Sequence, residues 1–367
     1  MILMNDFKAE PAELRESTVA AARRVLESGW YVLGGEVSAF ERQWATACGV
    51  GHGVGVGNGM DAIEIALRAL DIGPGDEVIT TPMTAFATVL AVLRAGATPV
   101  LADIDPGTGL MSPASVQRCL SERTRAVLLV HLYGQVRDMD TWLQVCTAER
   151  IHLIEDCAQA HLATWRGVAA GSFGAAGAFS FYPTKNLGAT GDAGMLVTSD
   201  ESVAQRAQQL RNYGQSVRYH HPNVGLNSRL DEIHAAILAE RLKWLPEFTE
   251  RRRQIAALYQ SGITNPVIRQ PEPTQEESAH VHHLYVVTCV ERDLLIKHLA
   301  ACGVQSLIHY PIPVHQQKPC LEMRRDPEGL SASESHAETV LSIPCHPQMS
   351  DADVEQVVTA INSFEAV

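Results

Sequence analysis

Basic residues are in short supply: 29 lysines and arginines stand against 42 acids, a formal net charge of -13. That balance excludes a chain built to grip nucleic acid through its phosphates. Paired cysteines are missing too. The eight cysteines stand at 48, 119, 146, 157, 289, 302, 320 and 345, with no C-x-x-C pair and no disulfide-like framework. Reduced thiols in a cytoplasmic protein are the expectation. None of the fifteen histidines stands beside cysteines or carboxylates at zinc spacing, so no metal site is predicted. No apolar run is long enough to span a bilayer, and MILMNDFKAE holds no h-region of a secretory leader. Repeats and low-complexity tracts are absent as well. What remains is a 367-residue chain, 46% hydrophobic and 19% charged. It is long enough for one large domain and a smaller one.

Strand and helix patterns alternate from His52 onward. Apolar strands are predicted at 52–56, 77–81, 98–103, 125–132, 151–155, 178–181 and 195–198, with helices between most of them. Such alternation predicts an α/β fold: a mostly parallel mixed sheet covered by helices on both faces. The strand at 195–198 follows Gly191-Asp-Ala-Gly194 and is expected to be hairpin-like. Two helices precede the sheet, at 11–28 and 36–47. A long helix is predicted over 228–245, ended by Pro246, with a charged connecting helix over 247–259. Residues 264–280 are rich in proline, glutamate and glutamine and read as a linker or surface loop. A small α/β unit follows, with strands at 284–289 and 304–309 and helices at 291–301 and 351–364. The expected domains are residues 1–245 and 246–367.

Four stretches carry candidate chemistry. Gly57-Asn-Gly59 runs into a helix, where free N–H groups and the positive dipole end favour an anion. A plain turn reads the same way. Ile154-Glu-Asp-Cys-Ala-Gln-Ala-His161 puts carboxylates at the C-terminal end of a strand, where open α/β sheets bind ligands. Asp156 could hold a ring nitrogen protonated or merely cap a helix. Gly177-Ala-Phe-Ser-Phe-Tyr-Pro-Thr-Lys-Asn-Leu-Gly188 contains one lysine, Lys185, five residues after Ser180. Burial there would lower a lysine's pKa and free a nucleophilic amine; a loop lysine that merely follows a strand reads the same way. The polar loop from Arg211 to Asp231 is either a binding loop or a solvated one. Together they name a cofactor: an anion site, an acid for a ring nitrogen and a lysine for an aldehyde are what pyridoxal 5'-phosphate requires.

These motifs, with WYVLGGEVSAFE, GDEVITTP, PVLADIDP, VHLYGQVRDMD, GLNSRLDEIHAAIL, HHLYVV and IHYPIPVH, resemble the DegT/DnrJ/EryC1/StrS family of nucleotide-sugar aminotransferases. The similarity runs through nearly the whole chain. It implies the fold-type-I architecture of the aspartate aminotransferases: a three-layer α/β/α large domain and a smaller C-terminal α/β domain. By that resemblance Lys185 would bind the cofactor aldehyde and shuttle a proton. Asp156 would pair with the pyridine nitrogen, and Gln159 would bond the ring's phenolic oxygen. Ser180 and the backbone at Gly59 and Met60 would take the phosphate. Asn227 would reach that phosphate from the neighbouring subunit of a homodimer with shared active sites. Tyr31, Tyr219, His220, Arg229, His309 and Tyr310 are candidates for the substrate side. Two positions depart from the family: Met60 replaces the usual hydroxyl residue, and Ala85 stands where an aromatic usually covers the ring. Phe86 is one residue away, about 100° round a helix, and His161 is the alternative stacking partner.

The reaction implied is transamination from an amino acid, L-glutamate, to a nucleotide-linked keto sugar in amino-sugar biosynthesis. The GMDAI loop resembles members that aminate C3 of dTDP-3-keto-6-deoxyhexoses. A 4-keto sugar or a UDP or GDP carrier is the alternative. From another class, a non-catalytic cofactor-binding regulatory protein is the rival reading.

Overall fold

The structure is a computed structural model and describes residues 1–366. Its helices are α1 (Ala12–Ser28), α2 (Gly35–Cys48), α3 (Gly59–Ala69), α4 (Phe86–Arg94), α5 (Pro113–Cys119) and α6 (Met139–Glu149), then α7 (Glu201–Leu210), α8 (Glu232–Leu242), α9 (Leu245–Gly262), α10 (Arg292–Ala301), α11 (Ser331–Thr339) and α12 (Asp351–Asn362). The strands are β1 (His52–Val56), β2 (Glu77–Thr80), β3 (Thr98–Leu101), β4 (Thr124–Val130), β5 (His152–Asp156), β6 (Thr164–Trp165), β7 (Val168–Ala169), β8 (Ala176–Ser180), β9 (Gly194–Thr198), β10 (Tyr285–Thr288) and β11 (Val340–Ile343).

Seven strands form one sheet in the order β1-β9-β8-β5-β4-β2-β3. Only β9 runs against its neighbours, pairing antiparallel with both β1 and β8. The others are parallel. Alternation along β4 explains the layering. Val127 and Leu129 enter one core with Phe40, Trp44 and Trp142, while Ala126 and Leu128 enter the opposite core with Ile65, Val92 and Val203. Successive side chains of a strand point to opposite faces, so a strand buried on both sides must be apolar throughout. Helices α2, α5, α6 and α8 therefore cover one face, and α3, α4 and α7 the other.

A second unit is built on the antiparallel pair β10–β11, packed by α9, α10 and α12. Several segments tie it to the rest, two of them as follows. Ile2 forms a bridge with Val304 and joins the core of this unit. Asp326, fully buried, accepts from Arg118 Nε at 2.9 Å and also bonds Ser115, both on α5. The two units thus interlock at these places.

Several expected elements changed. Residues 304–309 form only isolated bridges, Val304 with Ile2 and Leu307 with Ser342. The long helix starts at Glu232, because Val32 pairs with Asp231 and the Ser228 side chain is bonded elsewhere. Pro246 opens α9 rather than ending a helix, since proline's missing N–H costs nothing in a first turn. No helix among the described residues is long and apolar enough to cross a membrane.

Candidate active site

Lys185 follows β8 in a turn closed by its own N–H donating to the Tyr182 carbonyl at 2.9 Å. The loop folds back so tightly that a Cβ at Gly188 would stand 2.3 Å from the Pro183 carbonyl oxygen. It is clamped from two sides. From within, the Leu187 N–H donates to His161 Nδ1 at 3.0 Å. That fixes the tautomer, so His161 Nε2–H donates to the Ser180 carbonyl at 3.0 Å. From the second unit, the Val281 carbonyl accepts from Asn186 Nδ2 at 3.0 Å, and His283 Nδ1–H donates to Asn186 Oδ1 at 3.0 Å. Burial pushes the Lys185 amine down to about 8, against the opposing pull of Asp156. The same burial, with the lysine's charge, takes His161 to about 3 and His309 to about 4, so both rings are neutral.

Asp156 ends β5, where its backbone pairs with Ala178 of β8. One carboxylate oxygen accepts from Thr88 Oγ1 at 2.8 Å, and the other from the Ala158 N–H at 3.1 Å. Burial raises its pKa, while Thr88, Ala158 and Lys185 pull the other way. Its neighbour Glu155 is a foundation rather than a ligand. It accepts from the N–H groups of Gly171, Phe173 and Gly174 at 2.8, 2.8 and 3.0 Å, and from His131 Nε2 at 2.9 Å. His131, Glu155 and Cys157 do cluster, but that carboxylate is already committed to four donors.

Gln159 presents a defined end of its amide. Its Oε1 accepts from the Tyr133 N–H at 2.6 Å, so Nε2 is the outward donor, 3.3 Å from the Tyr310 hydroxyl. Tyr133 adopts a left-handed backbone, φ 64°, and its own hydroxyl donates to the His309 carbonyl at 2.7 Å.

The anion end is set by close approach. A Cβ at Gly59 would lie 2.6 Å from Ser180 Cβ, and one at Gly194 would lie 2.4 Å from the Asn58 backbone. The start of α3 can therefore sit against the β8–β9 hairpin only through glycines. Asn58 caps α3 through Asp61 N at 2.9 Å. Ser180 Oγ accepts from the Tyr182 N–H at 3.3 Å, which leaves its hydrogen free for an anion. Ser228 Oγ accepts from Gly57 N at 3.0 Å and donates to Asp61 Oδ2 at 2.7 Å. It thereby holds Asn227, exposed in this chain, beside the same turn. Met60 is half-buried and packs on the core under α3.

The remaining candidates lie further out. Tyr31 is 53% and Tyr219 77% exposed, and His220 is exposed as well. Arg229 lies over the Tyr213 ring at 5.3 Å and donates to Asn212 Oδ1 at 3.3 Å. Ala85 caps α4 without a side-chain bond, and Phe86 next to it is 36% exposed. His161 is fully buried against Trp44, Phe179 and Phe181, which leaves no ring face open to the cleft. It is not a stacking partner. Thr88, Tyr133, Asn186, Ser228 and His283 join the site although no local pattern marked them.

The donor set fits pyridoxal phosphate. A glycine-lined helix N-terminus with a free hydroxyl suits the phosphate, a buried acid the ring nitrogen and an amide N–H the phenolic oxygen. Sheet, cleft and donors together define a pyridoxal-phosphate enzyme of the aspartate aminotransferase fold. The chain belongs to the DegT/DnrJ/EryC1/StrS aminotransferase family, whose profile matches residues 12–362. It is 45% identical over 364 residues to a dTDP-3-amino-3,6-dideoxy-alpha-D-galactopyranose transaminase of Aneurinibacillus thermoaerophilus, covering 99% of each chain. Its fold matches the S. venezuelae DesV structure in complex with a ketimine intermediate, at a TM-score of 0.95 and 43% identity, over 98% of this chain and 97% of that one. It also matches NtdA from Bacillus subtilis with bound cofactor PMP, at a TM-score of 0.88 and 29% identity, over 96% and 82% of the two chains.

Proposed function

We propose that this enzyme moves an amino group from L-glutamate to C3 of a dTDP-3-keto-6-deoxyhexose. The observation that carries the reading is the meeting of a lysine of depressed pKa with a buried acid and an anion cup at one end of the sheet. The similarity to dTDP-3-amino-sugar transaminases supports the choice of acceptor. Bound there, pyridoxal phosphate supplies an aldehyde and an electron-withdrawing ring. The chain's own residues do the rest. Asp156 accepts the ring N–H, Gln159 Nε2 donates to the phenolic oxygen, and Ser180 with the amides at Gly59 and Met60 holds the phosphate. Lys185 Nζ, once free, would take the proton from the donor's α-carbon and hand it to the cofactor carbon, and in the second half-reaction would move a proton back from that carbon to the sugar carbon. Neutral His309 and His283 near that amine add no second positive charge.

The working unit in this reading is a homodimer with shared sites. Asn227, Tyr31, Tyr219 and His220 are all exposed in one chain, and Asn227 adjoins Ser228, which is bonded to Gly57. A second copy would cover them, with Asn227 reaching the partner's phosphate and Arg229 and Tyr310 shaping the sugar pocket.

The test is a two-stage assay. Enzyme loaded with cofactor is treated with glutamate, freed of 2-oxoglutarate, and offered 3-keto and 4-keto sugar nucleotides in turn. Amination of the dTDP-3-keto-6-deoxyhexose is expected. Amination of the 4-keto sugar alone overturns the regiochemistry. Amination of neither, by a protein that holds cofactor, favours a regulatory role.

A further inference from the structure

The start of α4 carries two buried hydroxyls in an otherwise apolar stretch. Thr84 is 5% and Thr88 1% exposed, beside Val89, Ala91 and Val92. A buried hydroxyl is costly unless it is hydrogen-bonded. Both are bonded, in series. Thr84 Oγ1 and Thr88 Oγ1 are 2.7 Å apart, and Thr88 Oγ1 is 2.8 Å from Asp156 Oδ2.

Each threonine has one hydrogen to give. An ionised carboxylate only accepts, so Thr88 must donate to Asp156. Its hydrogen is then spent, and Thr84 must donate to Thr88. If Asp156 carried a proton on Oδ2, the series would reverse and Thr84 would need another acceptor. Among the described residues the Thr84 hydroxyl has no bond other than the one to Thr88. The two threonines are therefore wired against a proton on Oδ2 of the acid. The other oxygen is held by the Ala158 N–H alone, at 3.1 Å. The titratable groups facing this carboxylate are Lys185, His131, Tyr310 and the Cys157 thiol.

We propose that Thr84 and Thr88 are positioning residues, a two-hydroxyl relay that keeps Asp156 ionised and in one rotamer so that it accepts the N–H of the cofactor ring. This rests on the reading of the site as a pyridoxal-phosphate site. Thr88→Val keeps the shape and removes the hydrogen; Thr88→Ser keeps the hydrogen and removes the methyl.

The primary readout is the 15N resonance of ring-labelled pyridoxal phosphate bound to the protein, which separates a protonated from a neutral ring nitrogen. The wild type and Thr88→Ser are expected on the protonated side, and Thr88→Val displaced toward the neutral value. The glutamate half-reaction of Thr88→Val should slow by about 10- to 100-fold, the worth of a hydrogen bond to a charged group, with little change in apparent glutamate affinity. A wild-type resonance in Thr88→Val refutes the relay. Equal displacement in Thr88→Ser also refutes it, because the methyl is then what matters. Should Thr88→Val fail to fold, Thr84→Val decides: it removes only the upstream donor, a smaller displacement in the same direction is expected, and none is a refutation. A wild type that takes up no cofactor sinks the site reading itself, an outcome distinct from a loaded wild type with an unresponsive Thr88→Val.

Discussion

Burial of Lys185 makes a quantitative claim about how the empty protein takes up its cofactor. Only the neutral amine attacks an aldehyde. With a pKa of about 8 in place of 10.5, about a quarter of the lysine is neutral at about pH 7.5 rather than about one part in a thousand, a roughly 200-fold gain in reactive amine. The assay is stopped-flow mixing of cofactor-free protein with excess pyridoxal phosphate between about pH 6 and 10, followed by the appearance of violet absorbance. Free Nα-acetyl-lysine in the same buffers corrects for the ionisation of the cofactor itself. The corrected rate should rise with pH and level off with a midpoint near 8. Asp156→Asn should move that midpoint lower, because the aspartate charge favours the protonated amine. Stability follows the same sign. A charged lysine is disfavoured in the folded state, so the penalty is fully felt below about 8 and disappears as pH rises toward 10.5, and the cofactor-free protein should gain stability across that window. A midpoint within half a unit of free lysine, or an Asp156→Asn midpoint that moves upward, refutes the electrostatic account.

Two further substitutions probe the frame around the lysine. Gly59→Ala puts a Cβ 2.6 Å from Ser180 Cβ and 3.1 Å from its Cα; the strain should weaken cofactor retention by about 10- to 100-fold in equilibrium dialysis. Glu155→Gln replaces a carboxylate that serves four donors with an amide half of which is itself a donor. Thermal unfolding should show a loss of about 3 kcal/mol or more, and an unchanged Tm contradicts the foundation role.

Much of this was legible in the sequence because strand ends are legible. Asp156 and Ser180 sit at the ends of apolar runs that could only be central strands, and Lys185 follows one of them. Glycines at 59 and 194 mark a close backbone approach. The supporting residues were not legible, for a physical reason. Thr88 reaches Asp156, and His283 reaches Asn186, across long stretches of chain, and no local periodicity records such partnerships. Ser228 reads as part of a helix by pattern, yet its hydroxyl serves Gly57 and Asp61, and the helix starts later. Residues 304–309 are apolar enough for a strand but find a partner on each side for only a single residue. His161 looked available in sequence, but its burial among aromatics is a tertiary fact. The unusual Ala85 was visible from the start, and Phe86 beside it is partly exposed.

The bridge between Ile2 and Val304 has a consequence for how the chain is made. Ile2 is synthesised well before Gly303, yet its backbone N–H donates to the carbonyl of that residue. At about 5–20 residues per second, the roughly 300 residues between them take about 15–60 s to synthesise. Throughout that interval Ile2 waits without the partner it has in the folded chain. The second unit cannot close its core around Ile2 until Gly303 and Val304 have been made, so its completion waits on a contact across most of the residues described.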